Sequence, residues 1–405
     1  MSSRTSRGLV ALLLGVIPFA QIPLDAYTPA LPQMVRDLGT DNATVQNTVT
    51  AYMLGMSVAL VPIGLLADAL GRRPVLIAGM TLLIVMSIGC AMANSIDVML
   101  VLRFLQGIGG AACQIISYSI AADRFRDREL TSVSGLLGAA WGTAPMLAPA
   151  AGGFLVQYAS WRVVFLVIAG LAALVLGAVI FLLPETLARE RRQRIDLRHT
   201  ASIVRGALAD RRFLGFTLIF AAMASAQMVL GVVAPFLYQE QLGFTPAAYG
   251  MIALFLGAMN LVGELGCSGL ATRLAPRTLA FGALSVYLAG ALILLGSGVL
   301  IGTNFWALTL AGSLVLIGSA TLCPMMYGMA LGRFDRNFGL LGGLASTICY
   351  LAVSATMATA AALPESTPVP LGWVYTALGL VTLLLLVVAL PRTSIDCSQQ
   401  ETKPS

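Results

Sequence analysis

Apolar residues run along the chain in long stretches separated by short charged or Gly/Pro/Asn breaks, and a bilayer crossing takes roughly 20 of them. Twelve such stretches can be counted, over 8–33, 44–68, 74–93, 97–121, 130–156, 160–184, 212–239, 246–270, 276–300, 303–331, 337–362 and 371–391. They are continuous rather than alternating, so they predict helices and not barrel strands. The longest polar segment, Glu185 to Arg212, separates six stretches from six. The predicted fold class is an all-α integral membrane protein of twelve transmembrane helices in two six-helix bundles. The expected organisation is an N-terminal bundle over 1–184, a cytoplasmic linker over 185–211, a C-terminal bundle over 212–391 and a cytoplasmic tail over 392–405. The linker reads as a solvated, partly helical loop on the anionic inner leaflet, with a regulatory or partner-binding role as the alternative.

Composition supports the membrane reading: 58% of the 405 residues are hydrophobic and only 10% charged, far below the quarter or so found in soluble domains. Arg4, Arg7, Arg72, Arg73, Arg124 to Arg128, the cluster from Arg189 to Arg212, Arg273, Arg277, Arg333, Arg336 and Arg392 fall on one side of the predicted membrane. Arg36 and Arg162 are left for the other. By the positive-inside rule both termini are cytoplasmic, and the net charge of +6 reads as topology rather than as a nucleic-acid interface. The first stretch is too long, and too broken by Asp25 and prolines, for a secretory signal peptide, and is expected to stay as a helix. Cys90, Cys113, Cys267, Cys323, Cys349 and Cys397 show no metal-like spacing and read as free thiols. The single histidine, His199, lies in the central loop, which leaves carboxylates to carry any proton through the membrane. No Walker-type glycine loop is present, so ATP is not the expected fuel, and no nucleophile or His/Cys/Asp cluster suggests an enzyme.

The first stretch ends in DAYTPALP, which places Asp25 inside an otherwise uncharged run. A carboxylate removed from water favours its neutral form, and intramembrane acids are rare and functional by default. Asp25 is read as a proton carrier, with a permanent pair to Arg103 as the structural alternative. Arg103 itself lies in LRFLQGIGGAACQ, where Arg103, Gln106, Gly107, Gly110 and Gln114 share one helical face. It either serves the proton site or bonds carbonyls of a neighbouring helix. Between the second and third stretches, GLLADALGRRPVL offers Gly64, Asp68, Gly71, Arg72 and Arg73 in a tight turn, where charge pairs specific to one helix arrangement make a gate. The fifth stretch, GAAWGTAPMLAPAAGGFL, carries Gly142, Pro145, Pro149, Gly152 and Gly153, which allow a kink and close helix approach. Glu264, with Asn260 one turn before it, is a second acid. Its readings are a second proton site, a receptor for cationic substrates, an interfacial residue or the partner of a base. Gln21, Tyr27, Tyr52, Gln114, Tyr118, Trp141, Gln227, Met228 and Tyr238 are candidate cavity linings, with helix packing as the alternative for each.

The loop GLLADALGRRPVL resembles the signature of the major facilitator superfamily, with Ala69 where that family usually has a basic residue. The Arg103 segment resembles a second family motif in which the arginine lies near the proton site. The glycine-proline stretch resembles the motif of the drug:proton antiporters. Taken with APMLAP and APFLYQEQLGF, DAYTPALP is similar to the bicyclomycin and chloramphenicol resistance (Bcr/CflA) family. The resemblance implies proton-coupled efflux of drug-like small molecules across the bacterial inner membrane by alternating access, with Asp25 as the proton site, no cofactor, and small molecule, protons and lipid as the only partners of a monomer. A dedicated metabolite or siderophore exporter of the same fold, or an importing symporter, is the alternative.

Overall fold

The structure, a computed structural model, describes residues 3–188, 190, 192, 197–334, 338–364 and 367–390. Arg336, Arg392, Cys397, the tail over 392–405 and part of the linker lie outside the described residues. Among the described residues, eleven helical spans are long and apolar enough to cross a membrane: α1 (Arg7–Leu38), α2 (Asn42–Leu70), α3 (Arg72–Met92), α4 (Ile96–Arg124), α6 (Trp161–Leu182), α7 (Arg211–Phe236, continued by a wider turn Leu237–Gln241), α8 (Pro246–Leu270), α9 (Pro276–Leu300), α10 (Phe305–Leu331), α11 (Phe338–Ala361) and α12 (Val369–Ala389). The twelfth is α5, Asp127–Tyr158, the longest single helix at 32 residues. Its prolines, glycines and Thr143 dilute its hydropathy. It packs chiefly on α8, so less of it has to meet lipid. A further helix, Leu197–Ala209, lies in the linker.

Side-chain caps fix the helix starts. Asp41 accepts the Thr44 amide at the head of α2, Ser95 that of Val98 at α4, and Asp210 those of Arg212 and Phe213 at α7. Each satisfies donors that a helix N-terminus leaves open. These polar caps stand just outside the apolar runs, which is why several helices extend two or three residues beyond the predicted stretches.

The first span departs from its predicted form of one helix over 8–33. It is a chain of short pieces, Ser3–Val16, Ile17–Ala20, Ile22–Asp25, Thr28–Ala30 and Leu31–Leu38, because Pro18, Pro23, Pro29 and Pro32 each remove a backbone donor from the ladder. It ends at Gly39, whose φ of +61° suits a residue without a Cβ.

Packing falls into two groups. Helix α4 lies against α2 and α3, and α3 against α6; in the later sequence α10 lies against α7, α8 and α9, and α12 against α7 and α9. Contact between the groups runs mainly through two pairs, α2 with α11 and α5 with α8. The α5–α8 pair uses small residues: Gly250 and Gly257 of α8 lie against Pro149, Ala150 and Met146 of α5. Without a hydrophobic drive between helices in lipid, such close backbone contact supplies the association.

Candidate functional site

The broken α1 forms one wall of a cavity of about 110 Å³ between the two helix groups. Leu24, Asp25 and Thr28 come from α1, Val49 from α2, and Trp141, Gly142, Pro145 and Pro149 from α5. Gln227 and Met228 come from α7, and Tyr249, Gly257, Asn260 and Glu264 from α8. Asp25 and Glu264, far apart in sequence, therefore share one cavity, and none of its lining residues is basic.

Asp25 accepts a hydrogen bond on Oδ2 from Gln21 Nε2 at 2.9 Å, one turn earlier on the same span. The Thr28 hydroxyl donates to the Asp25 backbone carbonyl at 3.0 Å, an acceptor the proline-broken ladder leaves free. Arg103 makes no ion pair with Asp25 within 4 Å, which corrects the reading of a permanent pair in this state. The completely buried guanidinium donates instead to the Pro23 carbonyl at 2.8 Å, to the Thr48 carbonyl at 3.3 Å and to Gln106 Oε1. Gln106 in turn donates to Ser87 Oγ at 2.6 Å. Tyr27 and Tyr52 flank the charge, with their ring centroids 4.4 and 4.6 Å from its carbon. Each such contact is worth about 0.5–2 kcal/mol. Arg103 thus ties α4 to the α1 break two residues before Asp25 and to α2.

These bonds relocate several expected cavity residues. Gln21 is turned to Asp25. Tyr27 is buried with its hydroxyl on Thr48 at 2.7 Å, and Tyr52 with its hydroxyl on the Ala20 carbonyl at 2.9 Å. Tyr238 is buried among Phe244, Tyr249 and Phe305 and shares a hydrogen bond with Thr309 at 2.8 Å. All four have their polar ends committed, so they pack instead of lining the cavity. Gln114 bridges the two helix groups, its amide 3.1 Å from the Tyr350 hydroxyl, and Tyr118 is partly exposed outside the cavity lining. Trp141, Gln227 and Met228 do face the cavity.

In the α2–α3 turn, Arg72 lies between Asp68 at 2.6 Å and Asp123 at 3.0 Å. Its backbone amide donates to Glu185 Oε1 at 3.0 Å. The same oxygen accepts from the amides of Thr186 and Leu187, so the start of the linker is docked on the turn. Gly71, at φ +110°, suits a residue without a Cβ. Arg73 donates to the Ile180 carbonyl near the end of α6 at 2.6 Å, and Gly64 has open space around it. Asp123 and Glu185 were not singled out from sequence. Both sit among arginines, where an acid reads as ordinary charge balance, and only the fold brings them to Arg72.

On α5, a Cβ at Gly152 would strike the Ala26 carbonyl oxygen, and one at Gly153 the Pro246 carbonyl oxygen. The glycines therefore seat α5 against the α1 break and the start of α8. Gly142 faces Glu264, whose Oε2 would lie 3.5 Å from an added Cβ.

Two packed helix groups enclosing a shared cavity that holds intramembrane acids are the construction of a secondary transporter. Residues 13–355 match the family described as Major Facilitator Superfamily, and the chain belongs to it. Multidrug resistance protein MdtL of Klebsiella pneumoniae (strain 342) is 30% identical over 271 residues, covering 67% of this chain and 68% of that protein. The MdtL of a second Klebsiella pneumoniae strain (ATCC 700721 / MGH 78578) is 27% identical over 373 residues, covering 91% and 92%. Among solved structures, a D-xylose-proton symporter shares the fold with a TM-score of 0.72 at 16% identity, over 95% of this chain and 97% of that one. The human organic anion transporter MFSD10 does so with 0.62 at 18%, over 95% and 98%.

Proposed function

We propose that this transporter exports drug-like small molecules across the bacterial inner membrane in exchange for protons, with both termini in the cytoplasm, as a monomer and with no bound cofactor. The observation that carries the reading is Asp25. It is an acid at a helix break, on the wall of the cavity between the two halves, held by one side-chain hydrogen bond and free of an ion pair among the described residues. Such a group can trade a proton without first breaking a salt bridge, so substrate and proton compete for one cavity as the halves rock about it.

Relatives named multidrug resistance proteins support the drug-efflux direction, and the α5 glycines and prolines, with DAYTPALP, support kinship with the bicyclomycin and chloramphenicol resistance family. The proton gradient is a sufficient source of work: one pH unit is about 1.4 kcal/mol per proton, and 100 mV adds roughly 2.3 kcal/mol per charge moved. In this scheme Arg103 positions the α1 break, and the Asp68–Arg72–Asp123 cluster with Glu185 holds α2, α3, α4 and the start of the linker in one arrangement.

The test is efflux of a neutral antibiotic from proteoliposomes under an imposed pH gradient, wild type beside Asp25→Asn. Gradient-driven transport is expected to vanish in the variant while binding persists. Undiminished gradient-driven transport by Asp25→Asn refutes the coupling role.

A further inference from the structure

Glu264 faces the cavity but has no part in the coupling scheme above. Its Oε1 is held by the Asn260 amide at 3.0 Å, which fixes the carboxylate, and Oε2 turns toward Gly142 of α5, where no side chain fills the space. One further acceptor in the lining of the same cavity, Asn260 Oδ1, is buried with no hydrogen-bond partner. Buried polar groups are as a rule hydrogen-bonded, and an exception calls for a specific explanation. No arginine, lysine or histidine lines the cavity, so the protein offers no internal counter-charge there. Glu264 is partly buried, so a carboxylate there without a counter-charge carries part of the cost of an unpaired buried charge, and a cation entering from outside removes it.

We infer that Glu264, with Asn260 and Trp141, forms a head-group subsite for an organic monocation with an apolar body. Glu264 Oε2 supplies negative charge and Asn260 Oδ1 the negative end of an amide dipole, the Trp141 indole supplies aromatic surface favourable to a cation, and Leu256, Met228 and Leu316 take the apolar part. The subsite rests on the export reading but divides its labour: Asp25 serves every substrate, and Glu264 serves only those that carry positive charge. A neutral compound gains nothing from the carboxylate and occupies the apolar part alone.

The measurement is equilibrium binding to the purified transporter in detergent, without any gradient, using tetraphenylphosphonium and its neutral relative triphenylphosphine oxide. Glu264→Gln keeps the shape and the Asn260 contact while removing the charge, and is expected to weaken tetraphenylphosphonium binding at least tenfold and triphenylphosphine oxide binding less than twofold. Glu264→Asp is expected to recover part of the cation affinity, and thermal unfolding of each variant verifies the fold. Unchanged cation affinity in Glu264→Gln, an equal loss for both compounds, or no measurable cation binding by the wild type overturns the subsite. Gradient-driven export of a neutral antibiotic by the same Glu264→Gln protein separates the two readings: if export persists while cation affinity is unchanged, the subsite falls and the export function stands.

Discussion

Replacing Gly152 by alanine tests the contact that seats the α1 break. An ideal Cβ at this position overlaps the Ala26 carbonyl oxygen, lies 2.7 Å from its carbonyl carbon and 3.3 Å from its Cα, where carbon atoms prefer about 3.5–4.0 Å. The obstacle is backbone, so no rotamer change relieves it, and α5 or the segment beside Asp25 must shift. Overpacking of this kind costs about 1–3 kcal/mol, equivalent to roughly 5- to 160-fold in the folding equilibrium. Alanine also gains up to ~1 kcal/mol over glycine in helix propensity, which hides part of the loss. Gly177→Ala in α6 removes that ambiguity, because a Cβ there meets nothing within 4 Å and only the propensity gain remains. The assay is thermal unfolding of both variants in detergent with gradient-driven efflux measured alongside. Gly152→Ala is expected to unfold at lower temperature than Gly177→Ala and to transport more slowly, since Ala26 adjoins Asp25. Equal stability with full transport in Gly152→Ala would refute the close α1–α5 approach as a requirement of the working fold.

Asp68→Asn is expected to cut turnover several-fold while leaving substrate affinity in place, because Arg72 keeps Asp123 and the Glu185 contact to its amide; wild-type turnover would remove Asp68 from the gate. Tyr238→Phe is expected to cost about 1 kcal/mol of stability through the lost Thr309 hydrogen bond with efflux intact. Efflux falling below half would return the hydroxyl to the substrate path. At the head of α2, the amide and hydroxyl of Thr44 hold the Asp41 carboxyl below its ordinary range. The folded value being depressed, the cap contributes fully above the unfolded value and is lost as pH falls through the folded one. Asp41→Asn, which caps without ionising, is therefore expected to be less sensitive to acid in unfolding measurements from neutral pH downward. Identical pH profiles would exclude the cap as the source.

The helix count, the membrane setting and the main polar positions were legible along the chain, because a bilayer imposes a length and an apolar composition that each stretch must meet by itself. Asp25 and Arg103 stood out for the same reason: a charge in such a run has few places to go. The α5 glycines and prolines could likewise be read as a close-packing surface, although the partner surfaces on α1 and α8 could not. Which polar atoms meet was decided in three dimensions. Tyr27 and Tyr52 look like cavity aromatics until Arg103 is found between their rings, and Asp25 looks like the natural partner of Arg103 until the Pro23 and Thr48 carbonyls take the guanidinium. The proline breaks of α1 are local and visible, but the carbonyls they set free find donors on α2 and α4, more than twenty residues away. Asp123 and Glu185 join Arg72, and Glu264 joins the cavity of Asp25, by the same logic. Hydropathy is a sum over neighbours in sequence, whereas hydrogen bonds and charge pairs are short-ranged and directional, so only the packed arrangement of the helices determines their partners.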